Sequence, residues 1–155
     1  MKGPTMKTIP MALAILLLSA SAWGQEKAGP PTEIEDPAAK RLLLGKHLLR
    51  LQWIESKQSG KATVTESAGQ LALDGEQRRG SDSVTVKGTI TKVTQKTFEF
   101  EGTIVTTVSH IYGGKPCTRT GKMTFAITGK RRYWRLQQMD NPCEKVSDYV
   151  DVFLR

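Results

Sequence analysis

The sequence predicts an all-β fold: an antiparallel meander forming an eight-stranded barrel or strongly curled sheet, preceded by one amphipathic helix. Three observations predict it. From Leu51 onward hydrophobicity alternates with a period of two. Turn residues recur at close intervals, at Gly60, Gly69, Gly80, Gln95, Gly113-Gly114, Gly129 and Asn141-Pro142. Opposing the alternating runs then brings Cys117 and Cys143 close together. Strands are expected to begin near Leu51, Ala62, Gln70, Ser83, Thr97, Thr118, Arg131 and Asp148. Each is near the next in sequence, so a meander is the economical topology.

The chain opens with Lys2 and Lys7 and no acid, then runs through an apolar stretch over residues 11–20, and leaves it by the small residues Ala20, Ser21 and Ala22 before Trp23-Gly24-Gln25. A membrane-spanning helix needs about 20 apolar residues. The run is shorter and reads as the core of a secretory signal peptide over residues 1–24, cleaved after Ala22 or after Gly24. A retained membrane anchor is the alternative. No cysteine near the cleavage region offers a site for lipid attachment. The mature chain is thus expected in the periplasm or secreted, with no membrane span after processing. Residues 25–36 are polar and proline-rich and read as a disordered leader. Residues 37–155 then form a helix plus a β-barrel domain.

Asp36-Pro37 supplies an N-cap and a first-turn proline. Leu42, Leu43, Leu44, Leu48 and Leu49 give an apolar side opposite Lys40, Arg41, Lys46 and Arg50, so an amphipathic helix is expected over 37–49, with Gly45 weakening its middle. In the sheet, residues directly opposed in an antiparallel pair share a face. A three-residue turn at Thr94-Gln95-Lys96 opposes Ile90 to Phe100, Val86 to Ile104 and Gly88 to Gly102, with Lys87, Thr89, Glu99 and Glu101 outside. Paired inner glycines suggest a bend or a close backbone approach. The next hairpin is expected to oppose Ile104 to Met123, Gly102 to Phe125 and Phe100 to Ile127. A turn at Gly129-Lys130 sets Phe125 against Trp134 and Met123 against Leu136. Extending that ladder brings Cys117 opposite Pro142, beside Cys143, and predicts a disulfide tying the 109–118 loop to the 139–147 loop.

The chain carries 23 Lys and Arg against 15 Asp and Glu, for a net charge of +8. Removing the signal takes two lysines with it. From Gly102 to Met139 the charged residues are Lys115, Arg119, Lys122, Lys130, Arg131, Arg132 and Arg135, with no acid among them. In the cytosol such a run would suggest nucleic acid. For an exported chain no nucleic acid is expected, and the anionic partners are lipid headgroups, acidic polysaccharide or an acidic protein face. A solvated barrel exterior is the plainer reading. No metal is expected, because the two histidines, His47 and His110, lie at no metal-ligand spacing from a cysteine. No cofactor signature is present.

The run from Arg132 to Cys143 (Arg-Tyr-Trp-Arg-Leu-Gln-Gln-Met-Asp-Asn-Pro-Cys), followed by Asp148-Tyr-Val-Asp-Val-Phe153, resembles a group of small exported bacterial proteins of unknown function. That resemblance implies export and a probable fold rather than an activity. A leading helix with an eight-strand meander also resembles the lipocalin and calycin barrels. Their Gly-x-Trp at the start of the first strand is replaced here by Leu51-Gln52-Trp53, a departure that bears on any ligand-carrying role.

No residues converge on an enzyme's acid, base and nucleophile. Ser109 and His110 are strand neighbours and point to opposite faces. Asp148 and Asp151, three apart, also face opposite ways. Gly113-Gly114 reads as a flexible loop tip. Trp53, Trp134, Phe98, Phe100 and Phe125 point inward, and a packed interior is expected in preference to a cavity. The candidate binding region is the barrel mouth near the 109–118 loop, with His110, Tyr112, Lys115 and Arg119, together with Trp134. The chain is accordingly expected to be a non-enzymatic binding module for a small apolar molecule or an anionic envelope component. The alternative is a structural or interaction protein, such as an inhibitor or accessory factor, whose loops meet a protein partner. A connected interior cavity above about 300 Å³ favours the first, and a filled barrel with an ordered 109–118 loop favours the second.

Overall fold

A computed structural model of the chain describes residues 3–4, 29–55, 57 and 59–154. The expected signal peptide therefore lies outside the described residues, apart from Gly3 and Pro4. In chain order the elements are β1 (Glu33–Ile34), α1 (Pro37–Leu43), β2 (Gly45–Leu51), β3 (Gly60–Ser67), β4 (Gln70–Arg79), β5 (Asp82–Val93), β6 (Thr97–Thr107), β7 (Cys117–Ala126), β8 (Tyr133–Leu136) and β9 (Val150–Phe153). A one-turn 3-10 helix, Tyr112–Gly114, lies between β6 and β7. Strands β2 to β9 run up and down in sequence order, and β9 pairs back onto β2 through Leu49–Val152 and Leu51–Val150. The eight-stranded antiparallel sheet is a closed barrel.

The helix is shorter than its leucines predict. Asp36 caps it by accepting from the Ala39 amide at 2.8 Å, with Pro37 in the first turn. It ends at Leu43, because Gly45 takes a φ of +102° that a helix cannot continue through. Residues 45–51 are instead the first barrel strand, which turns His47, Leu49 and Leu51 inward and leaves Leu48 outside. Within this strand His47, Leu49 and Leu51 follow an inward period of two.

The leader is corrected as well. The disordered leader expected over residues 25–36 is not found over its described part, residues 29–36, where Thr32 is buried and β1 pairs in parallel with Lys92 and Val93 of β5. The Thr32 hydroxyl donates to the Ile90 carbonyl at 2.5 Å and accepts from the Leu71 amide at 2.8 Å, so it fills the ladder where β4 has run out. Lys92 binds Glu35 at 2.5 Å and Glu33 at 3.3 Å, and these hydrogen bonds, Glu35's first, raise its ammonium above the ordinary lysine pKa. Residues 29–44 thereby cover one end of the barrel, where Ala39 and Leu43 of α1 join the core.

Between β5 and β6 the register is the expected one: Ile90 faces Phe100, Val86 faces Ile104 and Gly88 faces Gly102, with a bulge at Thr91 near the turn. The Phe100 ring lies over the glycine pair. A Cβ on Gly102 would come within 2.6 Å of Phe100 Cζ and of Gly88 Cα, and one on Gly88 within 2.8 Å of Phe100 Cε2. Further on the registers move. Ile104 faces Arg119, Gly102 faces Gly121 and Phe100 faces Met123, while Phe125 faces Leu136. These displacements, by four residues and by two, keep every side chain on its expected face, so Met123, Phe125, Trp134 and Leu136 are all buried.

The interior is filled. A contiguous aromatic row crosses it: His47 against Trp134 at 5.8 Å, Trp134 against Phe98 at 5.8 Å, Phe98 stacked on Phe125 at 4.8 Å, and Phe125 edge-on to Phe100 at 6.0 Å. Leucine, valine and isoleucine from every barrel strand but β7 complete the core. His47 also joins the covered end together, its ring nitrogens lying 2.7 Å from the Leu43 carbonyl and 2.8 Å from that of Phe153.

Filling Gly102 should therefore be costly. Gly102→Ala is expected to destabilise the fold by about 1–3 kcal/mol through overpacking. Gly80→Asn, at a turn with φ +58° and open space around it, should change stability by less than about 1 kcal/mol, since asparagine tolerates that backbone. Urea denaturation of both variants measures the contrast.

Candidate functional site

Because the strands alternate in direction, the β2–β3, β4–β5, β6–β7 and β8–β9 connections gather at the end opposite α1. Two of them are long, residues 108–116 and 137–149. The disulfide joins them: Cys117, at the start of β7, is bonded to Cys143, with Cα atoms 6.0 Å apart. Closing a loop of this size stabilises by roughly 3 kcal/mol in the chain-entropy account.

Residues 139–148 fold as a small hairpin of their own. Asp140 bridges Ser147, the Asn141 amide donates to the Val146 carbonyl at 2.9 Å, and the Asp148 amide donates to the Met139 carbonyl at 2.7 Å. The Asn141 side-chain oxygen caps its turn by accepting from the Cys143 and Glu144 amides at 2.8 and 3.0 Å. An open cleft of about 740 Å³ is lined by Asp140 to Ser147.

Beneath this hairpin the barrel buries a polar cluster centred on Asp148. Its carboxylate accepts from Trp53 Nε1 at 2.9 Å, from Asn141 Nδ2 at 2.9 Å and from Arg119 Nη2 at 2.9 Å. The same Nη2 donates to the carbonyls of Asp140 at 3.0 Å and Met139 at 3.3 Å. Arg119 and Asp148 are 6% and 1% exposed in their side chains, so the pair is out of water on both sides. Arg119 Nε and Nη1 are buried and meet no acceptor among the described residues. Such a pair adds little net stability over an apolar packing, yet removing one partner strands a buried charge. Its effect here is positional. It fixes the base of the 137–149 loop to β7, in a sector where β7 registers with β8 only at Phe125–Leu136 and Ala126–Arg135 among the described residues.

Gln52 holds the loop from the other side, donating to the Ser147 carbonyl at 2.6 Å and accepting from the Tyr149 amide at 2.6 Å. Trp53 follows the end of β2 rather than opening a strand. It packs edge-on against His110, with centroids 5.8 Å apart. The 108–116 loop is anchored by buried Val108 and Ile111, by the Ser109 amide donating to Asp82 at 2.7 Å, and by the Tyr112 amide donating to Glu144. Gly113-Gly114 is a defined turn: both residues have positive φ, and the Gly114 and Lys115 amides bond back to Ile111 and Tyr112 at 3.0 and 3.2 Å. The Lys115 ammonium sits 4.6 Å over the Tyr112 ring.

Of the five residues expected at the mouth, His110, Tyr112 and Lys115 lie together, exposed, on the 108–116 loop. Arg119 is at the same end but underneath, holding the loops rather than facing solvent. Trp134 belongs elsewhere, buried in the aromatic row beside His47. Sequence reasoning missed Asp148, Asn141, Trp53 and Gln52 as the supports of this end. The signal for the ion pair was present in parity: Arg119 alternates in step with Met123 and Phe125, and Asp148 with Val150 and Val152. The basic run is also dispersed. Arg119 and Arg135 are ion-paired to Asp148 and Asp151, and Lys122 stands opposite Glu101.

Asp148→Ala is expected to cost about 3–5 kcal/mol by leaving Arg119 unpaired, and the double change Arg119→Met with Asp148→Leu should recover most of that loss. Urea denaturation of the single and double variants reads the difference. Cys117→Ser with Cys143→Ser should cost about 2–4 kcal/mol in the same assay.

Comparison with known proteins places the whole chain. Among the described residues no helix is long and apolar enough to cross a membrane. No solved structure matches the chain. The uncharacterised protein PM1083 of Pasteurella multocida (strain Pm70) is 40% identical over 152 residues, covering 98% of each chain. The model of the PM1083 family matches residues 31–154, which takes in the Thr32 and β1 strap, α1, the barrel and the disulfide-tied loops. With both matches spanning the barrel domain, this chain belongs to the PM1083 family.

Proposed function

We propose that the chain is an exported, non-enzymatic binding protein that engages a protein partner through the loop end of its barrel. The observation that carries this reading is the contrast between a filled interior and a rigidly held mouth. Phe98, Phe100, Phe125, Leu49, Leu51, Leu71 and Leu73 occupy the space a carrier would reserve for its ligand. At the mouth, a disulfide, the Asn141 cap, Gln52 and the Arg119–Asp148 pair fix two loops before any partner arrives. Ordering loops in advance lowers the entropic cost of association. Asp148 is committed to three donors, and His110 faces Trp53, so neither is placed to serve as a base. Tyr112, with Lys115 over its ring, is an exposed aromatic on this surface, a residue type enriched where binding energy concentrates.

Export rests on the signal-like N-terminus and on the disulfide, which persists in oxidising compartments. N-terminal sequencing of the protein recovered from the periplasm or medium should begin after Ala22 or after Gly24. An intact, cell-retained N-terminus would overturn export.

A photo-crosslinking side chain placed at Tyr112 or at Lys115 in the producing cell should give one discrete protein adduct, and the same group at Lys87, on the far wall, should give none. Native mass spectrometry of the purified chain should return its bare mass. A co-purifying small molecule, or crosslinks absent at both loop positions, would sink the reading.

A further inference from the structure

The outer wall formed by β3, β2, β9 and β8 carries a surface the loop end does not account for. Register sets its outward side chains in rows: Arg50 opposite Asp151 and Asp151 opposite Arg135, then Lys61 opposite Leu48 and Phe153 opposite Tyr133. The guanidinium of Arg50 lies 5.0 Å from the Phe153 ring centre, that of Arg135 4.2 Å from Tyr149 and 5.1 Å from Tyr133, and that of Arg131 5.7 Å from Tyr133. Tyr133 and Phe153 are themselves 5.0 Å apart. Leu48 is 46% exposed and Tyr149 38%. Beside them a depression of about 590 Å³ is bordered by Lys46, Leu48, Lys61 and Leu154.

The charge on this wall is one-sided. Asp151 is taken up by Arg135 in a two-pronged bond of 2.7 and 2.8 Å, which raises the guanidinium's pKa still further. Glu76, opposite Lys61, bonds Arg78 at 2.7 Å. Lys46, Lys61 and Arg131 meet no carboxylate among the described residues. Exposed leucine and tyrosine, beside the half-buried Tyr133 and Phe153 and interleaved with cations that meet no carboxylate, are the side chains that settle at a bilayer's interface. The aromatic and aliphatic groups enter the headgroup region while lysine and arginine reach the phosphates.

We propose that the β3–β2–β9–β8 wall adsorbs to anionic phospholipid surfaces, leaving the loop end free to meet its partner. The test is co-sedimentation of the exported chain with phosphatidylglycerol-containing vesicles and with phosphatidylcholine vesicles. Binding is expected to the former, to weaken as salt is raised, and to be negligible to the latter. Lys46→Gln with Lys61→Gln should weaken it about tenfold or more. Leu48→Ser, an exposed position, should weaken it several-fold without shifting the urea midpoint. Lys87→Gln, on the opposite wall, should change it by less than about twofold. Absence of vesicle binding overturns the proposal, as does binding indifferent to Leu48→Ser. So does a loss from Lys87→Gln as large as that from the lysine pair, which would mark simple attraction by net charge.

Discussion

Pairing β2 with β9 turns the meander into a tube, and a tube of eight strands is only as wide inside as the side chains that fill it. Everything else follows from how that volume is shared. Phe98, Phe100 and Phe125 take most of the middle, and Phe100 fits only because Gly88 and Gly102 present bare backbone beneath its ring. One end is covered by α1 and the Thr32 strap, so the opposite end and the outer wall are the surfaces left for recognition.

The loop end meets the problem of keeping long connections in place over an apolar core. Loop backbone carries polar groups that must be satisfied when water is excluded. This chain sends Arg119 and Asp148 inward, and with Trp53 and Asn141 they serve as a polar layer between the hydrocarbon interior and the hairpin above it. A buried ion pair contributes little net free energy, but it tolerates few alternative arrangements. Order at the mouth is thus obtained from geometry rather than from additional burial.

Much of the architecture was legible because parity survives errors of register. A turn at 94–96 predicts the β5–β6 pairing from Ile90 back to Val86, glycine against glycine, and only the bulge at Thr91 departs from it. The β6–β7 pairing was displaced by four residues, and the alternation is blind to such a shift, because an even displacement moves no side chain between faces. The disulfide nonetheless forms as expected, its second cysteine lying in the irregular 139–148 segment rather than on the ladder. The leucines at 42–44 and 48–49 suggest one helical side, whereas Gly45's φ ends the helix and β2 sends Leu49 inward and Leu48 outward. The leader's order was hidden because it depends on a partner, the unfilled end of β5, sixty residues away. At the candidate site, the exposed loop residues were legible from position, whereas the buried cluster was not. A hydrophobic pattern assigns no meaning to charged residues at inward positions.

The short junction between β7 and β8 has a consequence for how the tube is completed. Past Phe125 and Ala126 the wall is carried on by Gln137 and Gln138 bonding Thr124, then by Arg119 reaching the Met139 and Asp140 carbonyls and by the covalent bond to Cys143. In that sector the protein is riveted rather than woven. The Cys117–Cys143 bond is the covalent fastening of the sector where hydrogen bonding between neighbouring strands is shortest.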